Sequence, residues 1–373
     1  MLRIVGGRGY TRTTMSHAPR PDDAALADLL ERLVNIPSVS RKEHAIAEFV
    51  ATRLEARATG EVTRIHRSVV WRGPKRKKPL LVLVGHLDTV RPQDNAVARR
   101  ENGNLIGLGA SDMKAGIAVM LALLDTLDPL ELPYDLAAVF YDGEEGPPQR
   151  NGLRRVLRRK RWLRKARLAI VLEPTDLGVE MGCNGSVNLE ITVPGRSGHA
   201  ARPWTGVNAV REGAEWLAAI QRAPVAKVEV QGLAFQETLE VTRLRSGSAR
   251  NVLPDRMLVN LNHRFPPDRT LEEAIERVRA LVPPEFKFHV RSGSPPGKVC
   301  LDDPLVQSFV RAAGGHVAGK QGWTDVARFT EIGVPAFNYG PGLVEMCHRA
   351  DEYCPLANLG AAYDVLARWL QQA

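Results

Sequence analysis

Five places along the chain put acidic or imidazole side chains directly behind short apolar runs or glycine-rich turns. Residues 80–84 (LLVLV) lead into Gly85-His86-Leu87-Asp88, and alternation at a strand end turns His86 and Asp88 the same way. A histidine backed by a carboxylate is a metal-ligand arrangement, because the second group fixes the tautomer and raises basicity. Taken alone, HxD reads more readily as a satisfied structural histidine. Residues 107–116 (GLGASDMKAG) form a glycine-rich turn ahead of a helical stretch, where Asp112 is either a helix cap or a ligand. Residues 136–141 (LAAVFY) deliver Asp142-Gly143-Glu144-Glu145-Gly146. Adjacent carboxylates behind a buried strand repel each other and lose solvation, a cost tolerated when a cation or a proton offsets it. Residues 168–172 (LAIVL) end at Glu173-Pro174, and the segment 347–352 (CHRADE) supplies His348 before the last helix. The ordered set His, Asp, Glu-Glu, Glu and His, with oxygen and imidazole donors and no thiolate, suits zinc, cobalt or manganese in a catalytic site.

Such residues need a scaffold that brings them together. Residues 22–33 and 43–54 carry apolar positions at helical spacing, separated by Ile36-Pro37-Ser38, whose proline interrupts a helix. The runs 80–84, 136–141 and 168–172 are short and continuously apolar, as strands buried on both faces are, with a helix at 117–127 between the first two. This predicts an α/β domain with a mostly parallel central sheet, whose site lies where the strands end. Beyond Glu180 the pattern changes: 187–193 alternates, 207–220 is helical, 239–244 and 257–265 alternate, 271–281 is helical and 286–290 is a strand. That βαββαβ order predicts an inserted, ferredoxin-like α+β domain. The α/β pattern resumes after Pro295 and closes with a helix at 356–370. At 373 residues the chain exceeds what one core supports, so the expected division is 16–181 with 293–373, and 182–292 between them.

Composition sets the class. Hydrophobic residues are 44% and charged residues 25%, as in ordinary globular proteins. Lys and Arg (51) exceed Asp and Glu (42), a formal charge of +9 concentrated at 72–78 (RGPKRKK) and 154–167 (RRVLRRKRWLRKAR). Leu153, Val156, Leu157 and Leu163 recur there at helical spacing, which reads as a solvated helix face; no nucleic-acid motif or aromatic platform accompanies it, so no nucleic-acid partner is expected. The four cysteines form no CxxC pair, which points away from disulfides and thiolate zinc and toward the cytoplasm. The N-terminal MLRIVGGRGYTRTTM lacks the apolar core of a signal peptide, no stretch suits a bilayer, and Met15 is an alternative start.

The motifs GHxD, SDMKxG, DxEEG, EP and a late histidine resemble the zinc-dependent aminoacylase and carboxypeptidase family over nearly the whole chain. Within it, residues 322–329 (GWTDVARF), 348–355 (HRADEYCP) and 249–255 (ARNVLPD) are similar to the actinobacterial-type branch that removes succinate from N-succinyl-L,L-diaminopimelate. The resemblance implies two zinc ions, replaceable by cobalt, with Asp112 bridging, His86 and Glu173 completing one site, and Glu145 and His348 the other. It implies that Asp88 orients His86 and that Glu144 is the general base acting on the attacking water. His199 is implied to reach the oxyanion across a homodimer built through the inserted lid domain, and Ser186, Asn251 and Arg264 to contact a small N-acyl amino acid. Arg264 also falls on the polar side of an alternating strand, where a guanidinium can grip a carboxylate bidentately or form a surface salt bridge. The related alternatives are an N-acetylornithine deacetylase or a dipeptidase of the same family; a non-catalytic binding protein on this fold is the different-class alternative. Two segments depart from the pattern: Gly322-Trp323-Thr324-Asp325 replaces a glycine-threonine-serine-aspartate run, and Pro147-Pro148 stiffens the rim after the double glutamate.

Overall fold

The two N-terminal amphipathic stretches fold as helices Asp23–Val34 and His44–Glu55 in the computed structural model, which describes residues 19–372. Met15 and the residues before it lie outside the described residues. Asp22 caps the first helix by accepting from the Ala25 amide at 2.7 Å, one of the donors that a helix start leaves free. Leu26, Leu30, Leu33, Ile46, Val50 and Leu54 turn inward from the two helices.

Eight strands form the frame, in the order Glu61–Ile65, Ser68–Arg72, Asp135–Tyr141, Leu80–His86, Leu168–Val171, Ala336–Asn338, Val179–Met181 and Val317–Gly319. The four from Asp135–Tyr141 to Ala336–Asn338 run parallel. Their C-terminal ends therefore meet at one edge, which places the segments after Gly85, Tyr141, Val171 and Asn338 side by side. Alternate residues of Leu80–His86 enter different cores. Leu81 and Leu83 pack with the N-terminal helices, Ala115–Thr126 and Leu356–Gln371, while Val82 and Val84 pack with Leu153, Val156, Leu157, Leu163 and Phe329. Burial on both faces is why these strands read as continuous apolar runs.

The basic segment folds as helix Gly152–Arg159 and a 3-10 turn Arg161–Lys165, with Leu153, Val156, Leu157 and Leu163 buried and Arg154, Arg158, Arg159, Arg161 and Arg164 exposed. It is the solvated face that the spacing predicts.

A second sheet is antiparallel, in the order Ala226–Val230, Leu233–Ser246, Arg256–Phe265, Gly185–Pro194 and Lys287–Ser294. Helices Ala209–Gln221 and Leu271–Arg279 cover one face through Trp216, Ile220, Ala274 and Val278 against Val187, Leu189, Ile191, Met257, Val259 and Leu261. The sequence order is βαβββαβ, one strand more than predicted. The extra edge strand, Ala226–Val230, joins its neighbour through Gln231 and Gly232, both at positive φ (50° and 77°), a two-residue hairpin turn. Its valines are only partly buried, so its apolar pattern is weak.

Helix Ala115–Thr126 is buried from Ala115 through Leu124 and lies hard against the strand-end residue Leu172. A Cβ on Gly116 would sit 2.2 Å from the Leu172 carbonyl oxygen, so glycine alone allows this approach. We predict that Gly116→Ala destabilises the protein by about 1–3 kcal/mol, the usual cost of overpacking, seen as a lower urea midpoint. An unchanged midpoint would contradict the packing.

Candidate metal centre

His86 ends its strand with the ring fully buried. Its Nδ1 lies 2.9 Å from the backbone carbonyl of Asp88, and its Nε2 faces Asp112 Oδ1 at 3.1 Å and Glu173 Oε1 at 4.0 Å. Across Asp112, Oδ2 lies 3.5 Å from His348 Nε2, which is 3.0 Å from Glu145 Oε2. Two triads that share Asp112 result, His86–Asp112–Glu173 and Asp112–Glu145–His348, each with one ligand atom per residue within 4.8 Å of the others, and His86, Glu144 and Glu145 lie as close together. Asp112 belongs to both and turns a different oxygen to each histidine.

The turn bearing Asp112 settles its alternative reading. Asp112 has φ −115° and ψ 97°, its peptide to Met113 is cis, and the following helix begins only at Ala115 behind Lys114. Its carboxylate faces the two histidines and caps nothing. Gly109, at φ 79°, supplies the left-handed residue that the turn requires.

Charge explains why these side chains tolerate one another. Burial opposes protonation of His86, yet the Asp112 hydrogen bond and the charges of Glu173, Asp112 and Glu144 raise its pKa well above the ordinary value. His348 is raised to about 10 by its hydrogen bonds to Asp112 and Glu145. Burial pushes Asp112 upward, but His348 and His86 overcome it and hold the carboxyl well below the usual range. Burial raises Glu173 to about 8, with the Asp112 charge adding to it, and raises Glu144 strongly, with Glu173 and Glu145 repelling it. The cluster thus draws positive charge inward, either as imidazolium protons or as divalent cations in their place. Glu173 Oε1 is buried with no hydrogen-bond partner among the described residues, the state expected of a ligand atom. These residues fit a metal.

Asp88 does more than follow His86. Its carboxylate, 3.6 Å from His86 Nδ1, accepts the Glu144 amide at 2.9 Å, the Glu145 amide at 3.0 Å and the Ser40 hydroxyl at 2.5 Å. The backbone carbonyl of Asp88 holds the ring, while its side chain holds the double-glutamate turn. The loop carrying that turn is held at both ends by Asp325, which accepts from Tyr141 Oη at 2.6 Å and Asn151 Nδ2 at 2.8 Å, and from Arg328 Nε at 2.7 Å. Thr324, beside it, donates to Asn338 Oδ1 at 2.9 Å and is buried. No sequence signal marks Ser40, Tyr141 or Asn151, because their partners are about 50 to 180 residues away.

The remaining site residues lie between Gly185 and Phe265, on the second sheet and the segments that join its strands. Ser186 and Arg264 are cross-strand partners on the face opposite the helices. Arg264 Nε donates to Asn262 Oδ1 at 3.0 Å, and no carboxylate among the described residues pairs with the guanidinium, which removes the salt-bridge alternative. His199 and Asn251 are exposed on two paired segments, where the Ala200 amide donates to the Asn251 carbonyl at 3.0 Å. His199 Nδ1 accepts from the Ala201 amide at 3.0 Å, which puts the ring proton on Nε2, and shares no hydrogen bond with the cluster.

An α/β sheet whose parallel strands end in two carboxylate-histidine triads defines a metal-dependent hydrolase of the amide-cleaving class. The model for peptidase family M20/M25/M40 matches residues 82–372, and the chain belongs to that family. It is 40% identical over 349 residues to a Mycobacterium tuberculosis protein named as a succinyl-diaminopimelate desuccinylase, covering 92% of this chain and 97% of that one. It is 35% identical over 353 residues to the succinyl-diaminopimelate desuccinylase of Corynebacterium glutamicum, covering 92% and 95%. The fold matches that of aminopeptidase PepT from Bacillus cereus (TM-score 0.78, 19% identity, 94% and 98% covered). It also matches the Bacillus subtilis YXEP protein, a dinuclear metal binding peptidase of the M20 family (TM-score 0.70, 14% identity, 94% and 97% covered). The protein is a hydrolase of amide bonds in small molecules that uses divalent metal. Among the described residues no helix is long and apolar enough to cross a membrane.

Because these side chains, far apart in sequence, meet only in the folded chain, divalent metal held by them should stabilise the native state. At a hundredfold excess over Kd, zinc or cobalt is expected to add about 2.7 kcal/mol to the chelator-treated protein, read as a rise in thermal midpoint. No rise with either metal would contradict the assignment of a metal centre.

Proposed function

We propose that the protein removes succinate from N-succinyl-L,L-diaminopimelate, using two zinc ions for which cobalt can substitute. The observation that carries this reading is the sharing of Asp112 between two triads, with Glu144 next to one of their ligands. His86 and Glu173 would hold one ion and Glu145 and His348 the other, with Asp112 offering an oxygen to each. Such a pair would lower the pKa of water and stabilise negative charge on the amide oxygen. Glu144 takes a proton from the attacking water as the C–O bond forms, then delivers it to the nitrogen as the C–N bond breaks. Its carboxyl is strongly raised by burial and by Glu173 and Glu145, the direction that suits a group which must hold a proton for part of the cycle.

On the acyl side, a succinyl group carries a second carboxylate. Arg264, beside Ser186 and without an acidic partner among the described residues, offers a bidentate grip for a substrate carboxylate, and Asn251 adds an amide. His199, with its proton on Nε2, is a donor suited to an oxyanion. It lies on the inserted segment and shares no hydrogen bond with its own chain's triads, and we assign it to the partner's site in a homodimer formed through residues 182–292. The catalytic unit is then 16–181 with 293–373, and the protein acts in the cytoplasm.

Two substitutions separate these roles. Glu144→Ala should retain its metal while kcat falls by roughly 10²–10⁴, the range for loss of a general base; full activity would take the base role from Glu144. Arg264→Ala should raise KM for the succinyl substrate at least tenfold, a loss of about 1.4 kcal/mol, while leaving metal content alone; an unchanged KM would sink the carboxylate grip. A panel of N-succinyl and N-acetyl amino acids tests the substrate itself. Turnover of N-acetylornithine without turnover of N-succinyl-L,L-diaminopimelate would replace the desuccinylase reading by a deacetylase one.

A further inference from the structure

The carboxylate of Glu352 is buried at 1% exposure and has no side-chain partner of opposite charge within ion-pair distance among the described residues. Instead it accepts three backbone amides of one turn: Gly109 N to Oε2 at 2.9 Å, Ser111 N to Oε1 at 2.9 Å and Asp112 N to Oε1 at 3.0 Å. A buried carboxyl group accepting three amides of one turn is a directional hold for which water does not compete. It fixes the backbone of the residue whose side chain joins the two triads.

Glu352 lies four residues after His348, so the same group ties two ligand-bearing segments together. Its own carbonyl accepts the Gly107 amide at 2.9 Å. Ser111 Oγ donates to the Tyr353 carbonyl at 2.7 Å and accepts the Leu343 amide at 2.9 Å. On the far side of the loop, Gln93 Nε2 donates to the His348 carbonyl and Asn95 Nδ2 to the Arg349 carbonyl, each at 3.0 Å, while the Asn95 carbonyl accepts the Leu108 amide at 2.8 Å. His348 needs this hold. It has φ 64°, a left-handed conformation unfavourable to a residue with a Cβ, and its side chain is 53% exposed, so packing covers only about half of it. Asp88 treats the third ligand segment the same way, through the Glu144 and Glu145 amides.

We propose that Glu352 is a positioning residue of the metal centre: by clamping the 107–112 turn to the 348–352 loop it sets the spacing of Asp112 and His348, and so the affinity of the ion they share with Glu145. This rests on the reading of those three residues as ligands. It acts through backbone geometry, without touching substrate or metal.

The test is a cobalt titration of the metal-free full-length protein, followed by visible absorption, for wild type, Glu352→Ala, Glu352→Gln and, as a control, Asp351→Ala. Asp351 is exposed and, among the described residues, paired only with Arg349. Loss of a group that orients ligands costs about 10–100-fold in metal affinity. That loss is expected for the second cobalt in Glu352→Ala, and a smaller one in Glu352→Gln, whose amide oxygen can keep the Ser111 and Asp112 bonds while its NH2 opposes the Gly109 amide. Asp351→Ala should match wild type. At saturating metal, Glu352→Ala should lose kcat and keep KM, whereas a purely structural role would lower thermal stability and leave cobalt affinity in place. Two cobalt ions in wild type with Glu352→Ala binding both within twofold of it would overturn the clamp. Fewer than two in wild type would instead remove the ligand reading beneath it. If Glu352→Ala does not fold, unchanged cobalt affinity and kcat in Glu352→Gln would overturn the proposal.

Discussion

Mutual repulsion among Asp112, Glu144, Glu145 and Glu173 is the constraint around which the molecule is arranged. Each is pulled from water, and the last three have their protonation raised by burial and by one another or by Asp112. Two histidines supply part of the opposing charge, one buried and one exposed. Such a concentration of like charge costs free energy that only cations or protons offset. The fold accepts that cost at one edge of one sheet, where the four parallel strands end together.

Holding the cluster is the work of other buried carboxylates. Asp88 fixes the Glu144–Glu145 turn, Glu352 fixes the Asp112 turn, and Asp325 ties Tyr141 at the start of the 142–151 loop to Asn151 at its end. Asp88 and Glu352 act on backbone amides, which positions each loop and leaves the side chains of Asp112, Glu144 and Glu145 free of that task. Below them, the tight seat of Gly116 on Leu172 keeps the helix behind Asp112 against the strand end that carries Glu173.

Much of this was legible in the sequence, for identifiable reasons. Strands buried on both faces carry unbroken apolar runs, so 80–84, 136–141 and 168–172 marked the central sheet and the polar residues after them marked its active edge. The helices at 22–33 and 43–54 fall within a residue of those observed, because a proline separates them and their apolar faces are regular. The edge strand Ala226–Val230 escaped, since an edge buries little and leaves little pattern. Asp112 was ambiguous, because a carboxylate before a helix is the mark of a cap and only tertiary structure shows where it points. The clamps were invisible: Glu352 meets Gly109, Ser111 and Asp112 across more than 200 residues, a contact that no local spacing encodes. The family resemblance supplied the pairing of ligands into two sites, and the geometry of Asp112 between His86 and His348 is what supports it.

Anomalous scattering at the zinc edge, from crystals of the metal-loaded protein, tests the central claim most directly. Two peaks about 3.5–4 Å apart, the spacing of two-metal hydrolytic sites, should flank Asp112, one beside His86 and Glu173 and the other beside Glu145 and His348. A single peak, or peaks away from Asp112, would contradict the shared-carboxylate centre from which the function is argued.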